Sequence, residues 1–156
     1  MCVVCDKSGF WNLFEKTKRN KKIFSVSVIE KANMKCMITG SRTLLNVTDI
    51  VNDTLDKVHE KTPINTIISG NAHGVDRIAE AWAEKNCIAV EIYLPDWKTY
   101  GKGAGILRNN EMVLASDVVV SFWDGKSRGT KQAMEKAARD GKLLKTIMIN
   151  ETVTYR

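Results

Sequence analysis

From Met34 onward the chain alternates short apolar runs with stretches of helical spacing, and this alternation restricts its fold more than any other feature of the sequence. The apolar runs are "KCMIT" (35–39), "INTIIS" (64–69), "IAVEIYL" (88–94), "DVVVSFW" (117–123) and "KTIMIN" (145–150). Runs with so little polar alternation are what strands covered on both faces look like in one dimension. Helical spacing fills the intervals at 47–61, 75–86, about 103–115 and 129–141, and Gly141 stands where a helix C-cap glycine belongs. Strands alternating with helices through right-handed crossovers predict an open α/β sheet of three layers, α/β/α, mainly parallel, with about five strands. In such a sheet, ligands are expected at the carboxyl ends of the strands, where the strand order reverses.

A chain of 156 residues with 44% apolar and 27% charged side chains is long enough for one domain with a sizeable core. Residues 34–156 are read as that domain. Residues 1–33 break the rhythm and are read as an N-terminal extension, either flexible or adding "IFSVSVIE" as an edge strand, with Met34 as the natural beginning of the domain. No apolar run reaches the length of a spanning helix and no cleavable signal pattern is present, so the expected location is the cytoplasm, with no membrane partner. The net charge of +6 is unevenly spread: residues 1–33 carry +4 and residues 34–156 only +2. The basic run Lys16 to Lys22, "KTKRNKK", is therefore either a solvated tail or the one place where nucleic acid would be held. Cys2 and Cys5 form a single C-x-x-C pair with no second pair or nearby histidine, so no metal site is expected, and nothing calls for a cofactor. Cys36 and Cys87 lie in apolar contexts and are read as core thiols.

Each predicted strand runs into an unusual loop. "TGSR" brings Gly40, Ser41 and Arg42 to the first strand end, where glycine permits close backbone approach and the hydroxyl and guanidinium suit phosphate or sugar oxygens; the same residues also suit a plain tight turn. "SGNAHGVDRIAEAWA" places Ser69 and Gly70 at the second strand end and Gly74 at a helix start whose open amides attract anions. Asp76 in that first turn is read as a favourable helix-start charge, and Ile78, Ala79, Trp82 and Ala83 as a core-facing stripe. "LPDWKTYGKGAGILRNN" offers Asp96, Trp97 and Tyr100 as a polar and aromatic wall, a glycine-rich turn at 102–105, and Arg108 with Asn109 as a helix-borne polar pair. After the fourth strand come Asp124, Gly125, Lys126, Ser127, Arg128, Gly129 and Thr130, a turn leading into a helix whose free N–H groups would bind an anion, with Lys126 and Arg128 at the rim.

Together, "MITGSR", "SGNAHGVDRIAEAWA", "LPDWKTYGKGAGILRNNEM" and "SDVVVSFWDGKSRGTKQAMEKA" resemble the SLOG superfamily, in its YspA/YpsA-related branch, over residues 34 to about 149. The resemblance implies a Rossmann-like fold that binds nucleotides or nucleotide-derived ligands, and proteins that associate with themselves; Trp11, Phe14 and Trp82 are the residues considered for such an interface. The chain is more distantly similar to the LONELY GUY phosphoribohydrolases, the deoxyribosyltransferases and the Rossmann domain of DNA-processing protein A. Arg108 matches the helix arginine of the phosphoribohydrolases, and Gly129-Thr130 match the glycine-threonine of their P-G-G-x-G-T-x-x-E motif. The glutamate has no counterpart, because Ala133 stands three positions after Thr130 and Glu135 lies two residues farther on, about 200° around the helix.

The function expected first is binding of a nucleotide derivative, for sensing, carrying or sequestering it, including a signalling nucleotide or an ADP-ribose-like compound. Phosphate and ribose fall to Gly40, Ser41, Arg42, Ser69, Gly70, Gly129 and Thr130, the base to Trp97 and Tyr100, and charge neutralisation to Arg108. The alternative is an enzyme that hydrolyses an N-glycosidic bond in a nucleotide, with Arg108 and either Asp96 or Asp124 as catalytic residues, or Asp76 as a further source of the carboxylate. A third reading is single-stranded nucleic-acid binding.

Overall fold

The computed structural model describes residues 33–149. The C-x-x-C pair, the basic run, the "IFSVSVIE" segment, Trp11 and Phe14 all lie outside the described residues, as does the last residue of the fifth predicted strand. The elements are β1 (Met34–Gly40), α1 (Thr48–Lys61), β2 (Ile64–Ser69), α2 (Val75–Lys85), β3 (Ala89–Ile92), the short α3 (Trp97–Tyr100), α4 (Ala104–Ala115), β4 (Val118–Trp123), α5 (Arg128–Arg139) and β5 (Leu143–Met148). The five strands form one sheet in the order β3-β2-β1-β4-β5, and every pairing is parallel. This is the Rossmann-like α/β/α arrangement expected from the sequence.

Two apolar layers fix the helices to the sheet. On one face, Val51 and Leu55 of α1 and Val75, Ala79 and Trp82 of α2 close over Cys36, Ile38, Val120 and Phe122. On the other, Met112 and Val113 of α4 and Ala133 and Ala137 of α5 close over Met37, Ile68 and Val119. Successive residues of β1 and β4 thus serve opposite layers, which is why these central strands read as unbroken apolar runs. A register shift between Met34 and Lys35 accompanies a change of face along β2, where Ile64 and Ile67 enter the same layer.

Trp82 is 4% exposed and its Nε1 donates to Asp56 Oδ1 at 2.8 Å, so it ties α2 to α1 and is not an interface residue. Burial pushes the Cys36 thiol up to about 12, as expected of an inert core cysteine. Cys87 is exposed rather than buried, because it takes a φ of 55° in the turn that ends α2.

The edge strands depart from the expected boundaries. β3 is four residues long, with Ile92 and Leu94 exposed, and β5 begins two residues before the predicted start. Both are paired on one side only, so half of each strand lacks the covering that produces a clear apolar signal. β5 is positioned by Lys142, whose Nζ donates to the carbonyls of Val113 and Leu114 at 2.9 Å and Ser116 at 2.6 Å. These are the open acceptors at the end of α4, where a cation also meets the negative end of the helix dipole. Replacing Lys142 by Met should therefore lower stability by about 1–2 kcal/mol, read as a shift of the urea midpoint with an unchanged slope.

Candidate functional site at the carboxyl edge of the sheet

The sheet opens between its first and fourth strands. β1 and β4 pair as far as Gly40 and Phe122. Two further bonds carry the contact past the strands, Ser41 N–H to the Phe122 carbonyl at 3.1 Å and Asp124 N–H to Ser41 Oγ at 3.2 Å. Beyond them the chains part, β1 toward α1 on one face and β4 toward α5 on the other. The crevice they leave is a cleft of about 650 Å³, with Gly40, Arg42, Gly70, Arg108, Gly129 and Thr130 among its lining residues.

Asp124 organises the wall after β4. Its Oδ1 accepts the amides of Lys126 and Ser127, each at 2.8 Å, and its Oδ2 accepts from Thr43 Oγ1 at 2.9 Å. Burial works to raise its pKa, but the Ser127 and Lys126 amides and the Ser41 and Thr43 hydroxyls outweigh it and hold the carboxyl well below its ordinary value. A carboxylate so firmly ionised is a poor proton donor, and it occupies two amides that the sequence had offered to an anion. The helix start just beyond remains open: Ser127 caps α5 by accepting from Thr130 N–H, leaving the first-turn amides of Arg128 and Gly129 to face outward.

Arg108 is 8% exposed. Its Nη1 donates to the carbonyls of Gly70 at 2.7 Å and Tyr93 at 3.1 Å, and its Nε to Asn109 Oδ1 at 3.1 Å. Asn109 Nδ2 in turn reaches the Gly129 carbonyl at 3.3 Å and Gln132 Oε1 at 3.4 Å. The polar pair of α4 thus forms a strut from the β2 end to the start of α5. A Cβ on Gly70 would sit 2.1 Å from Arg108 Nη1, so only glycine lets the guanidinium lie against the backbone here. Burial draws the Arg108 pKa down while Asp76 acts in the opposite direction.

Asp76, read from the sequence first as a helix-start charge and only secondarily as a source of a carboxylate, stands in the cleft. It lines the cleft and is 6% exposed; its Oδ2 accepts the amides of Gly70 and Ala72 at 3.2 Å each. Burial pushes its carboxyl up to about 6 against the opposing pull of those amides and Arg108. An aspartate in a first helical turn gives the same sequence signal whether it faces solvent or a cleft floor. Only the Gly70–Gly74 turn, which folds the chain back over it, separates the two. Thr43, Lys102, Ile106 and Met112 also line the cleft.

The remaining predicted residues are placed elsewhere. Ser41 is fully buried and serves the β1–β4 junction. Ser69 turns toward α2, donating to Glu80 Oε1 at 2.6 Å. Gly74 has a φ of 81°, and a Cβ there would lie 2.8 Å from the Leu44 carbonyl, so its role is in the turn. Gly125 takes a φ of 79° in its loop and lies outside the cleft lining. Asp96 caps α3 by accepting from Thr99 N–H at 3.0 Å, and the Thr99 hydroxyl and amide lower its pKa. Trp97 and Tyr100 are 53% and 56% exposed and lie outside the cleft lining, with Trp97 against Gly105. Ala133, at the position of the glutamate in the resembled motif, is fully buried in the α5 packing layer. Glu135 stands on the exposed side of α5, 3.8 Å from Lys131.

Two outcomes follow from this geometry. Gly70→Ala should expel Arg108 from its seat and cost about 1–3 kcal/mol in urea unfolding. The raised Asp76 pKa means that its protonated form fits the fold better: its stabilising contribution is complete below pH 4 and is lost as pH rises through about 6. The stability difference between Asp76→Asn and the parent chain should therefore move in favour of the variant by up to about 3 kcal/mol between pH 4 and pH 7.5, measured by denaturant unfolding at each pH.

Residues 34–100 match the model of the YspA, cpYpsA-related SLOG family. The Gene 61 protein of Mycobacterium phage D29 is 36% identical over 113 residues, which span 69% of this chain and 90% of that protein. Among solved structures, DNA processing protein A from Helicobacter pylori, described for its single-stranded DNA binding mode, superposes with a TM-score of 0.55 at 23% identity. That alignment covers 70% of this chain and 63% of the other, so this chain spans less than two thirds of the structure that it resembles in fold. No helix among the described residues is long and apolar enough to cross a membrane. With the phage protein matched over nearly its whole length, and the four glycine-bearing loops placed at one edge of a Rossmann-like sheet, the chain belongs to the YspA, cpYpsA-related SLOG family.

Proposed function

We propose that the cleft binds a nucleotide or a nucleotide-derived ligand by its phosphate, and that the protein senses, carries or sequesters that compound. The observation that carries this reading is the meeting of the open start of α5, at Gly129, with Arg42 and Lys102 around one cleft of about 650 Å³. Helix-start amides supply directed donors, and the cations add charge without needing to be buried. The volume lies within the range of small-ligand sites. The four cations of the lining, Arg42, Lys102, Arg108 and Lys126, face two carboxylates, Asp76 and Asp124. The oxygens of Asp124 are already occupied by loop donors. Cleavage of an N-glycosidic bond by a carboxylate on α5 is disfavoured, since Ala133 is packed in the core.

A second reading, single-stranded nucleic-acid binding, is favoured by a different observation. Trp97 and Tyr100 are exposed beside Lys98 and Lys102, and exposed aromatic rings next to cations make a stacking platform for bases. The fold-level neighbour is a protein described as binding single-stranded DNA.

Mass spectrometry of small molecules released from gently denatured protein, followed by calorimetry with nucleoside 5′-monophosphates, tests the first reading. Gly129 has open space where a Cβ would stand, so Gly129→Asp should leave the melting temperature unchanged or slightly higher, because the new charge suits a helix start. The same charge should weaken nucleotide binding at least about tenfold. Unaltered affinity in this variant overturns the phosphate site. The second reading instead predicts binding to oligo(dT) that weakens steeply with salt. It also predicts a loss of about 1–3 kcal/mol in Trp97→Ala, followed by fluorescence anisotropy.

A further inference from the structure

The floor of the cleft carries an acceptor that the phosphate reading does not use. Asp76 Oδ2 is occupied by the Gly70 and Ala72 amides. Among the described residues nothing donates to its Oδ1. The side chain is more than nine-tenths buried yet lines the cleft, so its second oxygen has only the cleft from which to take a partner. Open to the cleft and without a protein donor, this oxygen is an acceptor that a bound ligand can reach.

The charges around this oxygen restrict what the donor can be. Arg108 and Glu80 act on Asp76 with opposite sign. Arg108 faces Asp76 and donates to the Gly70 and Tyr93 carbonyls, so a second anion brought against Asp76 would have to share that cation with it. A phosphate is therefore repelled from the floor and directed to the start of α5. The flat aromatic groups suited to a base, Trp97 and Tyr100, are exposed outside the lining, while Ile106 and Met112 provide its apolar surface. Between an anion-binding helix start and an apolar flank, the part of a nucleotide that presents neutral hydrogen-bond donors is its sugar.

We propose that Asp76 Oδ1 accepts a hydrogen bond from a ribose hydroxyl of the bound nucleotide, making the cleft selective for ligands that retain the vicinal diol. The assignment rests on the nucleotide reading of the cleft, and it makes Asp76 a specificity-determining residue. A hydroxyl lost from such a contact leaves a buried, charged acceptor unpaired, which is why discrimination by a missing hydroxyl can be large.

The test compares matched ribonucleoside and 2′,3′-dideoxyribonucleoside 5′-monophosphates, with inorganic pyrophosphate as a sugar-free control, by calorimetry at pH 7.5 on the full chain. The expected result is binding of the ribo compounds at least tenfold tighter than their dideoxy partners, with the difference erased in Asp76→Ala and pyrophosphate affinity unchanged or improved in that variant. Equal affinity for the two sugars in the parent chain overturns the proposal while leaving the phosphate site standing. That comparison does not depend on whether the variant folds. Discrimination that persists in a folded Asp76→Ala also overturns it. Failure of nucleotides and pyrophosphate alike to bind the parent chain removes the nucleotide reading, and this proposal with it.

Discussion

The parting of β1 from β4 is the constraint on which the rest of the architecture depends. Two parallel strands at the centre of a sheet send their chains to opposite faces, and no element is left to fill the gap between them. Here the strands stay joined through the Ser41 amide and hydroxyl for one step beyond the ladder and then separate. Everything that gives the crevice its chemistry is positioned by that event. The β1 loop carries Arg42 to one wall, the β4 loop brings the start of α5 to the other, and the β2 end slides Gly70 and Asp76 beneath them.

The fold was legible because of where its strands lie. β1, β2 and β4 are covered on both faces and appear in the sequence as apolar runs with only small errors at their ends. The edge strands carry half the signal, and their boundaries slipped accordingly. The loops were legible through glycine, since Gly40 and Gly70 mark the places where backbone comes close to a side chain. What the sequence does not encode locally is the direction in which a loop side chain turns. Ser41 and Ser69 belong to the right loops but point into the framework. Trp97 follows the right strand but projects outward, and Asp76, read as a helix-start charge, turns inward. In each case the decision is made by residues distant in sequence: Asp124 for Ser41, Glu80 for Ser69 and the Gly70–Gly74 turn for Asp76.

The departure from the nucleotide-cleaving motif that the sequence resembles turns on packing as much as on chemistry. Position 133 belongs to the face of α5 that seals the second core layer, where Ala133 meets Met37, Met112 and Val119. A carboxylate cannot simply be restored there, because the space is already filled by side chains from the sheet and α4. The features of that motif present here are an open helix start and a buried arginine, the latter braced on the Gly70 and Tyr93 carbonyls.

One consequence of the Asp124 knot concerns how freely the crevice can open. A single ionised side chain clasps Thr43 from the loop after β1 and the Lys126 and Ser127 amides from the loop after β4. The two walls are therefore laced together across the mouth, and neither can swing outward alone without leaving that charge undersatisfied. The α4 flank is held as well, by Arg108 on the Gly70 and Tyr93 carbonyls and by Asn109 on the Gly129 carbonyl. The crevice is thus a frame braced from both flanks against the β1–β4 seam.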